Sequence, residues 1–171
     1  MNDRFLTLIR HAKSSWAEPL QIDHERPLNA RGERDAPVMA ARLAARVDAP
    51  DTLLVSPAVR AQATAQAMLR ALVDTQPQLL TVDALYTEDW RAVLDAIRES
   101  APVQARSVGV VGHNPALTEL ANRLGLNIDN VPTCGIVRFR CELADWAALA
   151  PKHCEFVWFD CPKCPPPDRD E

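Results

Sequence analysis

The stretch that decides the fold is FLTLIRHAKSSW, residues 5–16. Its first five residues are apolar or β-branched, which is typical of a strand covered on both faces in a parallel sheet. Arg10 and His11 follow at once. Because neighbouring side chains on a strand point to opposite faces, these two can serve one site only if the chain leaves the strand here. The sequence therefore predicts a buried strand that presents polar side chains at its carboxyl end.

Two further runs, DTLLVS at 51–56 and SVGVV at 107–111, have the same continuous apolar character and are predicted strands. A polar residue and a proline follow each of them, Ser56 with Pro57 and Asn114 with Pro115. Serine and asparagine are suited to cap a helix, and proline suits its first turn. We therefore expect each strand to lead directly into a helix, the second of which stops at Gly125.

Two other segments are also predicted to be helical. One covers residues 33–47, with Pro37 near its first turn, and the other covers 88–99, with Thr87 as its cap. Late in the chain, IVRFRCE (136–142) and CEFVWFD (154–160) mix charged and apolar residues, as outer or antiparallel strands do.

This order of elements predicts an α/β fold: a three-layer α/β/α sandwich whose central sheet is mostly parallel, with helices on both faces. A chain of 171 residues fits one domain, which we place at residues 1–161. The proline-rich and charged residues 162–171 are predicted to form a mobile tail.

Composition excludes several classes of function. The net charge is −4, so no general attraction to nucleic acid or to an anionic membrane is expected. Apolar runs of membrane-spanning length and the core of a signal peptide are lacking, which predicts a cytoplasmic protein. The 5 cysteines do not form the even pattern of a secreted disulfide scaffold. Cys161 and Cys164 have the spacing of two zinc ligands, but no second pair matches them, so we predict no metal site.

Polar side chains follow three predicted strands at their carboxyl ends. They are Arg10 and His11 after the first strand, Ser56 and Arg60 after the second, and Gly112, His113 and Asn114 after the third. Open α/β sheets bind ligands at this edge. Arg60, expected at the fourth helical position, leans back over the strand end. Two guanidiniums and two imidazoles converging on one place form a site for an anion, above all phosphate.

The chemistry follows from the charges. GxGxxG and GxxxxGK[ST] are absent and glycines number only 5, so side chains rather than a backbone loop would hold the phosphate and no cofactor is expected. Arg10 and Arg60 offset the charge of a phosphoryl group and disfavour protonation of His11. His11 can then attack phosphorus to form a phosphohistidine that water hydrolyses, while His113 and the arginines stabilise the oxygens.

Four blocks carry a family resemblance: LIRHAKSSW, ERPLNARGERDAP, VSPAVRAQATA and VVGHNPALTELA. In order and spacing they resemble the histidine phosphatase superfamily, and most closely its short, SixA-type branch of phosphohistidine phosphatases. The blocks span roughly residues 5–125. The resemblance implies a phosphoglycerate mutase-like fold, with His11 as the phosphorylated nucleophile. It also implies that Arg10, Arg60 and His113 form the phosphate pocket.

Two positions depart from the family pattern. Ala12 stands where the superfamily usually has glycine, and Thr87 stands where relatives often carry the glutamate that acts as general acid. Glu88, displaced by one position, is the candidate for that acid. Lys13, Ser14 and Asn114 are candidates for substrate binding. Because an imidazole leaving group needs less help from an acid, the departure favours a phosphohistidine in a partner protein over a sugar phosphate.

Two other functions remain open on the sequence. A small-molecule phosphomonoesterase or a phosphoglycerate mutase-like enzyme could use the same pocket, although a mutase needs further cations for a second phosphate. A non-catalytic module that binds phosphorylated partners is the other alternative. The presence of His11 argues against such a module, because binding requires arginines but no nucleophile.

Overall fold

A single mixed sheet forms the centre of the fold. The computed structural model describes residues 3–47 and 49–166. The strands are β1 (Asp3–Arg10), β2 (Thr52–Val55), β3 (Gln78–Thr81), β4 (Ser107–Gly112), β5 (Ile136–Glu142) and β6 (Cys154–Asp160). Their order is β3-β2-β4-β1-β5-β6. The first four strands in that order pair in parallel, whereas β5 and β6 pair antiparallel.

Helices cover both faces of this sheet. They are α1 (Ala30–Ala44), α2 (Val59–Ala71), α3 (Trp90–Ser100) and α4 (Ala116–Arg123). One apolar core packs α1 and α2 against one face, and a second core packs α3 and α4 against the other. Alternation along each strand feeds both cores: Leu8 belongs to the α3–α4 side and Ile9 to the α1–α2 side. The predicted three-layer α/β fold is therefore confirmed.

Several element boundaries differ from the sequence-based prediction. The edge strand β3 was not predicted, because its four residues are partly exposed and follow a proline. Pro37 lies well inside α1, because Asn29 accepts a hydrogen bond from Gly32 N and starts the helix earlier than expected. Asp89, rather than Thr87, caps α3. None of the helices in the described ranges combines the length and apolarity needed to cross a membrane.

The predicted tail begins in a segment that is attached to α1. Cys161 and Cys164 form a disulfide. Arg42 of α1 donates a hydrogen bond of 3.2 Å to the carbonyl oxygen of each of these cysteines and one of 2.9 Å to Asp160 Oδ1. The disulfide occupies both cysteines of the CPKC sequence. Residues 167–171, the rest of the predicted tail, lie outside the described residues.

Candidate active site

The chain leaves the sheet directly after His11. The amide of His11 still donates to Gly112 O of β4 at 3.1 Å. The next amide, that of Ala12, donates instead to the hydroxyl of Thr64 in α2 at 2.9 Å. The same hydroxyl donates to Arg60 O at 2.8 Å. Thr64 therefore joins the segment that carries His11 to the helix turn that carries Arg60.

His11 is held as a neutral imidazole whose Nε2 lone pair faces the guanidinium of Arg60. Its Nδ1 lies 2.7 Å from Ala12 O, which can only accept, so Nδ1 carries the proton. Arg60 Nε donates to the other nitrogen, Nε2, at 3.3 Å. Burial, followed by the charges of Arg60 and Arg10, lowers the pKa of His11 to about 4 against the opposing effect of the Ala12 carbonyl. The sequence predicted a neutral His11 from the two cations alone, but burial has the larger effect.

Arg60 connects the polar groups of the site. It is the second residue of α2 rather than the fourth, because the helix begins at Val59. Its Nη2 lies 3.4 Å from Nδ1 of His113, whose ring centroid is 5.1 Å from that of His11. The same guanidinium donates to Asp23 O at 2.6 Å and to Asp23 Oδ2 at 2.9 Å. One side chain thus contacts both imidazoles and a carboxylate.

A hydrogen bond with Ser56 fixes the orientation of the His113 ring. Its Nε2 lies 2.7 Å from Ser56 Oγ, while Nδ1 faces Arg60. With Arg60 donating to Nδ1, the ring proton is on Nε2 and is donated to the serine. Burial, then the charges of His11 and Arg60, lower the pKa of His113 to about 3. The hydroxyl predicted to cap α2 therefore serves mainly to fix this ring.

Arg10 faces the same place from the end of β1. Its charge lowers the pKa of both His11 and His113, and burial lowers its own pKa. Nη1 donates to Val131 O at 2.8 Å. Within the described ranges its buried Nε has no hydrogen-bond partner. This nitrogen has almost no solvent-accessible surface, and Arg10 does not line the cavity described below.

Asn114 hydrogen-bonds to Asn130 and Val131, in the loop before β5 that Arg10 also contacts. Its amide nitrogen donates to Asn130 Oδ1 at 2.9 Å and to Val131 O at 3.0 Å. Its amide oxygen accepts from Thr118 Oγ1 at 2.9 Å. Asn114 lines the cavity described below, but these contacts use its amide within the protein.

Lys13 and Ser14 lie on the connection after β1, next to the segment that leads into α1. Lys13 O accepts from Asn29 N at 2.9 Å, and Ser14 forms an isolated β-bridge with Leu28. Gly32 of α1 approaches Lys13 so closely that a Cβ there would collide with the Lys13 backbone. Neither Lys13 nor Ser14 lines the cavity.

A cavity of about 500 Å³ opens beside Arg60 and His113. It is lined by Asp23, Arg60, Tyr86, Thr87, Glu88, Asp89, His113 and Asn114. Glu88, the candidate general acid, is exposed at this cavity. His11 and Arg10 do not line it. Arg60 connects the cavity with His11, because its side chain lines the cavity and donates a hydrogen bond to His11.

Asp23, Tyr86 and Thr64 are residues of the site that the sequence did not predict. Asp23 lies in the short 3₁₀ helix Asp23–Glu25, and Tyr86 donates to its Oδ2 at 2.7 Å. Burial acts to raise the pKa of Asp23, but the hydrogen bonds from Tyr86 and Arg60 outweigh it and lower that pKa. In the sequence an aspartate between two predicted elements has no signal that separates it from a surface residue. Among the described residues, no group of three or more histidine, cysteine, aspartate or glutamate side chains is placed to hold a metal ion.

Comparison with known proteins gives a family match and curated relatives. Residues 6–86 match the profile of the histidine phosphatase superfamily (branch 1). The chain is 30% identical over 166 residues to the uncharacterised protein Rv1276c of Mycobacterium tuberculosis, a match that covers 91% of this chain and 100% of that protein. It is 29% identical over 138 residues to the uncharacterised chloroplastic protein At3g52155 of Arabidopsis thaliana, covering 77% of this chain and 63% of that protein. The match thus spans less than two thirds of the Arabidopsis protein.

Solved structures with this fold include three SixA proteins. The protein assigned as phosphohistidine phosphatase SixA from Agrobacterium tumefaciens superposes with a TM-score of 0.78 at 26% identity, covering 92% of this chain and 97% of that one. The corresponding protein from Nakamurella multipartitia gives 0.82 at 23% identity, covering 96% and 99%. The protein histidine phosphatase SixA complexed with tungstate gives 0.74 at 22% identity, covering 92% and 97%.

The family match and the SixA neighbour at 26% identity identify a hydrolase of the phosphatase class, and the other two structures share its fold. The chain belongs to the histidine phosphatase superfamily, in its SixA-type branch. The family resemblance carried by the four sequence blocks is thereby confirmed.

Proposed function

We propose that the chain is a phosphohistidine phosphatase, which removes phosphate from a phosphorylated histidine of a partner protein through a phosphohistidine intermediate on His11. One observation carries this proposal: a single guanidinium, that of Arg60, lies 3.3 Å from His11 Nε2 and 3.4 Å from His113 Nδ1. The lone pair of His11 therefore points toward a cation that can hold a phosphoryl group. A neutral imidazole with a lone pair toward its electrophile is the state that a nucleophile requires.

Binding begins with an exchange of anions on Arg60. Two of its nitrogens donate to the backbone oxygen and the carboxylate of Asp23. The Asp23 side chain is about half exposed, at 48%. A phosphoryl dianion carries roughly twice the charge of that carboxylate and offers more acceptor oxygens. We expect phosphate to take over the guanidinium fork of Arg60, and the nearby charge of Arg10 to add to its electrostatic attraction.

In the first chemical step His11 Nε2 attacks phosphorus and forms a P–N bond. The P–N bond to the substrate imidazole breaks, and its electron pair stays with the leaving nitrogen. When the other nitrogen of the substrate ring is protonated, the leaving group departs as neutral imidazole and needs no acid. On the enzyme, the Nδ1–H of His11 donates to Ala12 O and disperses the positive charge that develops on the phosphorylated ring.

In the second step a water oxygen attacks the phosphorus of phosphorylated His11. The bond from phosphorus to Nε2 breaks, the electron pair returns to Nε2, and one proton of the water passes to a carboxylate. Three carboxylates line the cavity, those of Asp23, Glu88 and Asp89. Asp89 caps α3, so Asp23 and Glu88 are the candidates to accept this proton. Arg10 and Arg60 stabilise the charge on the phosphoryl oxygens in both steps, and His113, whose Nδ1 accepts from Arg60, positions that guanidinium.

Phosphohistidine is the substrate class that the comparisons favour. The three SixA structures superpose with TM-scores of 0.74 to 0.82; two are assigned as phosphohistidine phosphatases and the third is named a protein histidine phosphatase. A glucosyl-3-phosphoglycerate phosphatase and an ecdysone phosphate phosphatase share the fold at lower TM-scores of 0.62. The exposed position of Glu88 agrees with a leaving group that requires little acid catalysis.

A substrate panel tests the proposal. Wild-type protein is assayed on proteins phosphorylated at histidine with phosphoramidate, on the amino acid N-phosphohistidine, and on phosphoglycerate and sugar phosphates. We expect the highest kcat/KM for phosphohistidine proteins, and radiolabelled phosphate trapped on wild-type protein but not on His11→Asn after an alkaline quench. Equal turnover of alkyl phosphates would favour the phosphomonoesterase alternative. Tight binding of phosphoproteins without turnover would favour the binding module.

A further inference from the structure

Three apolar side chains are exposed to solvent on the loop that leads to Asp23. Trp16, Leu20 and Ile22, which we call the apolar rim, are 65%, 99% and 66% exposed. They lie on the connection between β1 and the 3₁₀ helix Asp23–Glu25. Single exposed apolar residues are common on protein surfaces, but here three lie within seven positions of one loop.

The loop that carries the apolar rim is held in place by the protein. Arg26 is buried, its guanidinium lies 3.9 Å from the centroid of the Trp16 ring, and it donates to Glu18 O at 3.3 Å. Ser15 N donates to Pro27 O at 2.8 Å, which closes the base of the loop. The exposure of the apolar rim is therefore imposed by hydrogen bonds and stacking in the folded structure.

The apolar rim is continuous with the phosphate site. Ile22 directly precedes Asp23, whose carbonyl and carboxylate oxygens are both bound by Arg60. His24 packs edge-on against Tyr86, which lines the cavity, with ring centroids 4.9 Å apart. A phosphoryl group that replaces Asp23 on Arg60 thus arrives next to the loop that exposes these apolar side chains.

We propose that the apolar rim docks the folded protein that carries the phosphohistidine, by packing against apolar side chains that flank that histidine. This inference rests on the proposed function. A free phosphohistidine is small enough for the cavity of about 500 Å³ and leaves Leu20 exposed, whereas a protein surface can cover it. The loop carries Glu18 and Asp23 but no lysine or arginine between 16 and 23, which disfavours an anionic membrane or a nucleic acid as the occupant.

The test compares two substrates of the same chemistry and different size. The variant is Leu20→Ser with Ile22→Ser, assayed on a histidine-phosphorylated protein and on the amino acid N-phosphohistidine. We expect kcat/KM to fall at least about tenfold for the protein, mainly through KM, and to stay unchanged for the amino acid. The matched control, Val47→Ser with Val73→Ser, changes side chains that are 83% and 64% exposed beyond the far ends of α1 and α2. It should leave both values unchanged.

Each other outcome contradicts the proposal in its own way. An equal loss on both substrates would show that the apolar rim acts through Asp23 and not through docking. No loss on either substrate would show that it is not a contact surface for the partner. A wild-type dimer that becomes monomeric in the variant would identify a second copy of this chain as the occupant. Wild-type activity confined to small phosphate esters would refute the proposed function, and the docking assignment with it.

Discussion

The two halves of the sheet differ in what their strand ends can do. In the parallel half, β1, β2 and β4 finish at one edge, and Arg10, His11, Ser56 and His113 follow them there. In the antiparallel pair β5 and β6 run in opposite directions, so their carboxyl ends lie at opposite edges. Strand direction therefore keeps the carboxyl end of β5 away from the site, whereas β6 ends at the same edge as β1 but lies two strands away from it.

Buried arginines show the same contrast. Arg138 of β5 is fully buried and donates to Thr7 Oγ1 at 2.9 Å, inside the sheet. Arg60 is also buried, but one of its partners is the half-exposed carboxylate of Asp23. An incoming anion can displace a carboxylate at the surface of a cavity and cannot displace an internal hydroxyl. A buried arginine can therefore bind a ligand when its partner is an exposed carboxylate, as for Arg60, and not when its partner is a buried hydroxyl, as for Arg138.

The largest expected effect comes from removing the proposed nucleophile at the parallel edge. His11→Asn should lower kcat on a phosphohistidine protein by about 10⁴-fold or more, because no other group replaces the lone pair at Nε2. The control His153→Asn removes a histidine next to β6, where it contacts Ala148 O, and should leave kcat unchanged. Activity of His11→Asn within tenfold of wild type would contradict the role of His11.

Replacing one arginine in each half tests the comparison directly. Arg60→Lys keeps the charge but loses the planar fork that contacts both histidines. Loss of one charged hydrogen bond should lower kcat/KM by about 10- to 150-fold. Arg140→Lys, at the exposed antiparallel edge where the arginine pairs with Glu155, should change it less than about twofold. Similar losses in both variants would remove the distinction between the two halves.

The hydroxyl of Thr64 should contribute by positioning His11 and Arg60, because it joins their backbone segments and carries no charge. Thr64→Val leaves the buried amide of Ala12 without its acceptor, which should lower the free energy of unfolding by about 1–3 kcal/mol. We also expect a lower kcat with little change in KM, because His11 and Arg60 lose their shared anchor. Thr64→Ser restores the hydroxyl and should recover both values. Urea unfolding and steady-state kinetics measure the two effects, and failure of serine to rescue would contradict this role.

Acid should destabilise the site through its two histidines. The pKa values of His11 and His113 are lowered to about 4 and about 3, so the unfolded chain binds more protons than the folded one below pH 6.5. The free energy of unfolding should therefore decrease as pH falls from 6.5 toward 4, by a few kcal/mol, on the order of 1.4 for each unit of pKa shift. Urea unfolding at pH 7, 6, 5 and 4 measures it. The slope should be smaller in His11→Asn, and an equal slope would contradict the assignment.

The smallest effect on activity is expected at the antiparallel edge. Cys161→Ala with Cys164→Ala removes the disulfide after β6, whose carboxyl end lies at the same edge of the sheet as the site but two strands away from β1. The free energy of unfolding should fall by up to about 2 kcal/mol because the disulfide closes only a short loop. The kcat/KM should remain within about twofold of wild type. A larger loss of activity would mean that the segment after β6 communicates with the site.

The sequence predicted best where local pattern and burial agree. β1, β2 and β4 are apolar along their length because helices cover both of their faces, and each was predicted. The edge strand β3 has only four residues, which are partly or fully exposed, so its sequence resembles a loop. Helix α1 begins three residues earlier than predicted because Asn29 caps it. Helix α2 begins two residues later than predicted, and Ser56, its predicted cap, contacts His113 instead.

The predicted site depended on topology more than on any motif. Parallel strand ends share one edge, so proximity of Arg60 to both histidines could be expected before the structure was known. Asp23 could not be found in this way. It meets Arg60 across 37 residues of sequence, from a turn without periodicity, and only the folded path of the β1–α1 connection brings them together.

The pairing of Asp23 with Arg60 also bears on how turnover ends. After hydrolysis, inorganic phosphate remains on a guanidinium for which a tethered carboxylate competes at high effective concentration. Competition from that carboxylate should weaken the binding of the product to Arg60, and the carboxylate should pair with the guanidinium again once phosphate has left. We therefore expect weak product inhibition, so that the enzyme can keep working in a medium rich in free phosphate.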